Sequence, residues 1–174
     1  MAPTDKKTDT LLAIDPGLRE LGWAILDGKR LVDYGVLDLR HTLVSRRLGQ
    51  VRGFVTARIR AHHLRTIVVE DIPKRPLDAL AGLPALGKLL GRLAKNRHMK
   101  FASYSAKAVR RSVVGDGWAG KRALAETLCS RLPALKVHLT QNRKWKERYW
   151  QNMYDAIALG FHHRSVIQPP SRSR

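Results

Sequence analysis

Apolar positions in this chain follow two rhythms, and the changes between them mark the elements. Leu11–Ile14 is an unbroken apolar run of strand length, the pattern of a strand covered on both faces. Leu21–Leu26 repeats it, and Asp27-Gly28 supplies a hairpin turn leading into a third strand, Arg30–Leu39, of an antiparallel meander. From Thr42 to His63 the spacing becomes helical, with Val44, Leu48, Val51, Val55 and Ile59 on one stripe and Arg46, Arg47, Arg52, Arg58 and Arg60 off it. The β-branched run Thr66–Val69 then ends in Glu70-Asp71.

Pro73 and Pro76 break the chain before a Leu- and Ala-rich helix at Leu77–Arg97, which Pro84 would kink or divide. Lys100–Tyr104 is a fifth strand. "SAKAVRRSVVG" and "GWAGKRALAETLCSRL" read as helices joined through Gly115-Asp116-Gly117, and "QNRKWKERYW" leads into a last helix at about Glu147–His163. Strands first, then strand–helix alternation, predict an α/β fold: a mixed five-stranded sheet, its first three strands antiparallel, flanked by helices. The expected organisation is a flexible arm at 1–9, one domain at 10–164 and a disordered basic tail at 165–174.

Charge narrows the functional class. Thirty-three Lys and Arg against fourteen Asp and Glu give a formal net charge of +19 over 174 residues. Such an excess favours a polyanionic partner, nucleic acid ahead of a membrane surface. The single cysteine, Cys129, excludes a disulfide framework and reads as a small core residue. No apolar stretch approaches the roughly 18 residues of a membrane span, and "MAPTDKKTDT" lacks the apolar segment of a secretory signal, so a cytoplasmic, nucleoid-associated protein is expected.

With so few acids, their positions are informative. Asp15 closes the first strand, Glu70 closes the fourth, and Asp155 lies on the last helix, turned away from its stripe of Trp150, Met153, Tyr154, Ile157 and Phe161. If the first and fourth strands are neighbours, Asp15 and Glu70 meet at one edge of the core, and a helix crossing that edge can deliver Asp155. Taken singly, each acid is equally well a turn or surface residue. Together they repel, and Mg²⁺ or Mn²⁺, two per site, would relieve that repulsion and support phosphodiester hydrolysis. Asn152, one turn before Asp155, is a neutral and weaker candidate ligand.

"LLAIDPGLRELGWAIL", "TIVVED", "SAKAVRRSVVGDGWAGKRAL" and "NMYDAIALG", in that order, resemble the RuvC-type Holliday-junction resolvases, nucleases of the RNase H-like superfamily. The resemblance spans roughly Leu11 to Phe161. It implies an RNase H-like fold and a homodimer that cuts four-way DNA junctions, with Asp15, Glu70 and Asp155 as catalytic metal ligands. Arg110 and Lys121 match its two basic catalytic positions, Arg110 standing where lysine is usual. The Leu77–Arg97 helix would carry much of the dimer contact. Asn152 stands where many members have an acid, with His162 or His163 as a nearby compensating group. After Glu70, where the family often inserts an aromatic wedge, this chain has Ile72-Pro73-Lys74-Arg75-Pro76, leaving Ile72 or Leu77 as an apolar wedge.

Candidate DNA contacts are Lys74, Arg75, Arg111, Arg122, Arg143, Lys144 and Lys146, with Trp145 able to stack on a base or sugar. Solvated surface charge accounts for the same cations, and a core-sealing role for the same tryptophan. Trp118 is expected to anchor the core at a helix start. Two rivals stand beside a junction resolvase: an RNase H-like nuclease for RNA–DNA hybrids or structured RNA, and a non-catalytic junction-binding protein.

Overall fold

A computed structural model describes residues 9–72, 82–139 and 144–167. The strands are β1 (Thr10–Asp15), β2 (Glu20–Asp27), β3 (Arg30–Asp38), β4 (Thr66–Glu70) and β5 (Lys100–Tyr104). They form one sheet in the order β3-β2-β1-β4-β5. β1–β2 and β2–β3 are antiparallel, whereas β1–β4 and β4–β5 are parallel. The helices described are α1 (Val44–His62), α2 (Leu83–Asn96), α3 (Ala106–Val114), α4 (Lys121–Arg131), the short α5 (Lys136–Leu139) and α6 (Lys144–Ile167), with a 3-10 turn at Pro133–Leu135.

Alternation along the central strands sorts their side chains between two cores. Leu11 and Ala13 of β1 and Val68 of β4 join a core with α3, α4 and α6, while Leu12, Ile14, Ile67 and Val69 join one with α1 and α2. The result is a three-layer helix–sheet–helix arrangement. Cys129 lies in the first core, as expected. Among the described residues no helix is long and apolar enough to cross a membrane.

Several local expectations change. The hairpin turn falls at Gly28-Lys29, one residue later than predicted. Val44 and Leu48 are exposed, because only the later turns of α1, at Val51, Val55 and Ile59, overlie the sheet. Pro84 neither kinks nor divides a helix. It lies in the first turn of α2, where its missing N–H leaves no bond unmade. The apolar side of α2, at Leu86, Leu89, Leu90 and Ala94, is spent on this chain's own core. Residues 73–81, including the expected start of that helix at Leu77, lie outside the described residues.

The last helix departs most from its predicted stripe. Ala156, Ala158 and Leu159 are fully buried with Met153 and Ile157, while Trp150 and Phe161 are half-buried. α6 is covered nearly all round because it crosses the sheet under α3 and α4. Its close approach is possible where β2 has Gly22: a Cβ there would stand 1.9 Å from the Asn152 carbonyl oxygen. α6 also runs on through Ile167, taking in the first three residues assigned to the tail; 168–174 lie outside the described residues. Asp9, placed by sequence in the arm, pairs with the buried Arg164 of α6 through both its carboxylate and its carbonyl.

Candidate functional site

Sheet register brings the first two acids together. Ile14 pairs with Val69 in the parallel β1–β4 ladder, so Asp15 and Glu70 are the next residues on adjacent strands. Each has the parity of the side chains facing α6, Ala13 before Asp15 and Val68 before Glu70. Asp155 comes from that helix and, although off its predicted apolar stripe, is only 7% exposed, inside the packed layer.

Electrostatics couples the three. Loss of hydration raises the pKa of Asp15 well above the usual carboxylate range, and the Asp155 and Glu70 charges raise it further. Burial and then Asp155 push Glu70 up to about 7. Asp155 is raised by burial, against the favourable influence of Lys121, a Gln151 hydrogen bond and Arg110. Lys121 and Arg110 oppose the rise at all three acids.

Lys121 is placed for charge rather than for helix stability. Lys121 and Arg122 open α4, whose first turn has no acid, although cations are disfavoured at that end of the helix dipole. Arg110, on α3, has a buried Nε with no hydrogen-bond partner among the described residues. A buried guanidinium donor left unpaired is costly, so this edge of the site suits an incoming anion.

Asn152 donates from Nδ2 to the Glu20 carbonyl at 2.9 Å. It also borders a cleft of about 480 Å³ with Arg19, Arg40, Lys121 and Tyr149. Arg40 lies 3.4 Å from Glu20 and pairs with Asp38. Gln151, Arg40 and Tyr149 escaped the sequence reading. Gln151 had a usable signal, its spacing of four from Asp155, across which Nε2 donates to Oδ2 at 3.3 Å. Arg40 and Tyr149 had none, being brought together by tertiary structure.

The donors fit a hard divalent cation in chemistry: carboxylate oxygens, poorly hydrated and mutually repelling. Among the described residues, no three His, Cys, Asp or Glu side chains are grouped closely enough to hold a metal ion. Repulsion reaches farther than coordination at roughly 2.0–2.1 Å, so gathering the three acids on one ion requires side-chain movement.

Other candidates fall elsewhere. His163 shares a 2.9 Å hydrogen bond with the Tyr104 hydroxyl through Nδ1, and His162 packs edge-on against the same ring. The two histidines thus pack on Tyr104 rather than compensating for Asn152. Trp118 is not a core anchor: it is 78% exposed, because α4 begins only at Lys121 and leaves it in the preceding loop. Arg111 and Arg122 are exposed on α3 and α4. Lys144, Trp145 and Lys146 fall in the first turn of α6, their side chains outside the description; Lys74, Arg75 and Arg143 lie outside the described residues.

The family model for crossover junction endodeoxyribonuclease RuvC matches residues 11–163. A crossover junction endodeoxyribonuclease RuvC of Maricaulis maris is 31% identical over 133 residues, covering 73% of this chain and 80% of its own. That of Hyphomonas neptunium is 34% identical over 118 residues, 64% of this chain and 70% of its own. Among solved structures, Thermus thermophilus RuvC in complex with Holliday junction substrate superposes with a TM-score of 0.71 at 18% identity, covering 92% of this chain and 95% of its own. The yeast mitochondrial Holliday junction resolvase Ydc2 gives 0.63 at 16% identity, over 91% of this chain and 80% of its own. These structural likenesses establish the shared α/β fold.

Proposed function

The chain belongs to the crossover junction endodeoxyribonuclease RuvC family, and from that membership we propose that it resolves four-way DNA junctions by metal-dependent phosphodiester hydrolysis. The observation that carries this reading is the parallel β1–β4 pairing, with Asp15 and Glu70 at one sheet end beside the Asp155 helix. Asp15, Glu70 and Asp155 would hold Mg²⁺ or Mn²⁺, two per site. Asn152 remains a weaker ligand through its amide oxygen, since its nitrogen is engaged with Glu20. When bound, such a cation supplies Lewis acidity toward the phosphate and an activated water.

The chain's own groups do the rest. Lys121 and Arg110 grip the scissile phosphate and offset the charge that builds on it. Glu70, with a pKa near 7 in the metal-free protein, holds a proton in acid solution and gives it up near neutrality. Lys74, Arg75, Arg111, Arg122, Arg143, Lys144 and Lys146 are the cations assigned to the DNA backbone, with Trp145 as a stacking group.

Two symmetrical nicks require two sites related by a two-fold axis, so the working form is a homodimer. The α1–α2 layer offers apolar surface for it at the exposed Leu43, Val44 and Leu48. The setting is the cytoplasm, on nucleoid DNA.

The test is cleavage of four-way, forked, duplex and RNA–DNA hybrid substrates, side by side at stated salt, with Mg²⁺ or Mn²⁺. Paired nicks in the four-way junction support the reading. Preferential cutting of the hybrid makes the chain an RNase H-like nuclease of another specificity, and binding without cutting makes it a junction-binding protein. Salt must be stated because a +19 chain binds nearly any polyanion at low ionic strength.

A further inference from the structure

We propose that Trp118, with Lys107 and Arg111, forms a docking site for one unpaired nucleotide of the DNA substrate, its base on the indole and its phosphate on the two cations. The proposal rests on the nuclease reading and deepens it.

Trp118 is the most exposed large apolar side chain among the described residues, at 78%. An indole left in water forgoes a large hydrophobic gain, yet this one is held in place. Its backbone N–H donates to Asp116 Oδ1 at 2.9 Å, closing a turn. At Gly117 a Cβ would come within 2.9 Å of Lys107 Cγ and 3.0 Å of the Lys107 carbonyl oxygen, so the loop lies tight against α3. Lys107 Nζ stands 4.1 Å from the Trp118 ring centroid, a cation–π contact that fixes the ring. The rest of the indole is open.

Lys107 also lines a second cavity, of about 510 Å³, with Ser105, Arg111, Ser112 and His162. His162 is 8% exposed, and its buried Nδ1 has no hydrogen-bond partner among the described residues. A phosphodiester satisfies the Lys107 and Arg111 donors and the Ser105 hydroxyl, which accepts from Ala108 N–H and keeps its own proton to give, in the way an uncharged group does not. One lysine therefore borders both an aromatic platform and a cavity with room for a phosphate.

Position ties this pair to the reaction. The Trp118 loop joins α3, which carries Arg110, to α4, which opens with Lys121. Those are the two cations whose charge reaches all three acids. Lys107, Arg111 and Lys121 make the surroundings cationic, which favours nucleic acid over a protein partner. Because every base has an aromatic face, stacking here holds a splayed strand with little sequence preference.

The experiment places 2-aminopurine singly at positions around the crossover of a four-way junction and reads its fluorescence with protein in EDTA. A parallel arm uses a single-stranded oligonucleotide carrying the same probe. Wild-type protein is expected to quench one position, Trp118→Ala to lose that quenching, and Trp118→Phe to keep it. In cleavage with divalent metal, Trp118→Ala is expected to raise KM about tenfold, the scale of one base–aromatic stack, with kcat little changed. Lys107→Met, which releases the ring, is expected to weaken the quenching without unfolding.

Equal quenching and equal KM in Trp118→Ala overturn the proposal. So does intact quenching with altered self-association by sedimentation, which makes Trp118 a protein contact. If wild-type protein cuts no junction, the nuclease reading has failed. The oligonucleotide arm then decides Trp118: quenching lost in Trp118→Ala supports stacking, and unchanged quenching overturns it.

Discussion

Asn152 Nδ2 donates a 2.9 Å hydrogen bond to the Glu20 carbonyl oxygen, fastening the last helix to the start of β2 across 132 residues of sequence. The bond falls where many relatives of this type would, by sequence resemblance, carry an acid. A carboxylate there has no hydrogen to offer and would add a fourth negative charge to the site. Asn152→Ala is therefore expected to cost about 1 kcal/mol of stability, and Asn152→Asp more at neutral pH. The Asp deficit should shrink as pH falls, because a protonated acid can donate again. Urea unfolding in EDTA at acid and neutral pH checks both.

Glu70 contributes against stability in the metal-free protein. Its pKa is about 7 folded and near 4.5 unfolded, so between those values the folded state holds more protons. Stability is accordingly expected to fall as pH rises from about 4.5 to about 7, and to level off above. Glu70→Gln removes this cost and should stabilise the protein above neutrality by on the order of 2 kcal/mol, one pKa unit being about 1.4 kcal/mol. Cleavage should be lost in the same variant. Thermal unfolding in EDTA against pH reads the first effect, and a junction assay the second.

Asp15→Asn and Asp155→Asn should each lower junction cleavage by on the order of 100-fold or more, as loss of a major electrostatic contributor does. Junction affinity should stay the same or rise, since a negative charge facing DNA is removed. Gel-shift binding beside cleavage separates the two. Retained cleavage would remove these residues from the site.

Lys121 lowers the pKa of all three acids, so Lys121→Met should move each upward. The acidic limb of the pH–rate profile is then expected to shift to higher pH, along with a fall in maximal rate. A divalent cation competes with protons for the same carboxylates, so its half-saturating concentration should rise at fixed pH. Rate measured over a grid of pH and metal concentration distinguishes this from simple loss of DNA binding.

Arg164 is only 2% exposed and is paired with Asp9, whose side chain is 40% exposed. Asp9→Ala leaves a buried guanidinium without its counter-charge and should destabilise the fold by about 2 kcal/mol, a partly exposed partner contributing less than a fully buried one. Arg164→Met, which fills the space without charge, should cost less. Equilibrium unfolding of the two variants checks the order.

The strands, the class of fold and the three acids could be read from the chain because each leaves a local mark. A covered strand is apolar without interruption, and a carboxylate at its end stands out in a chain poor in acids. Those signals need only near neighbours in sequence. What the three acids do together depended on pairing β1 with β4, since the parallel register is what sets Asp15 beside Glu70.

Other features had no local signature. The predicted stripe on the last helix was too narrow, leaving out Ala156, Ala158 and Leu159, because α6 is packed from several sides at once, by the sheet, α3 and α4. Trp118 looked like a core residue by composition, and only the late start of α4 leaves its ring in solvent. His162 and His163 went to Tyr104 because β5 ends beside α6. Hydrophobic periodicity and residue type thus determined which segments form strands and helices and which residues carry charge. The tertiary structure decided which charges meet, which lose their water and which aromatic remains exposed, because burial and electrostatic coupling belong to neighbours that only folding brings together.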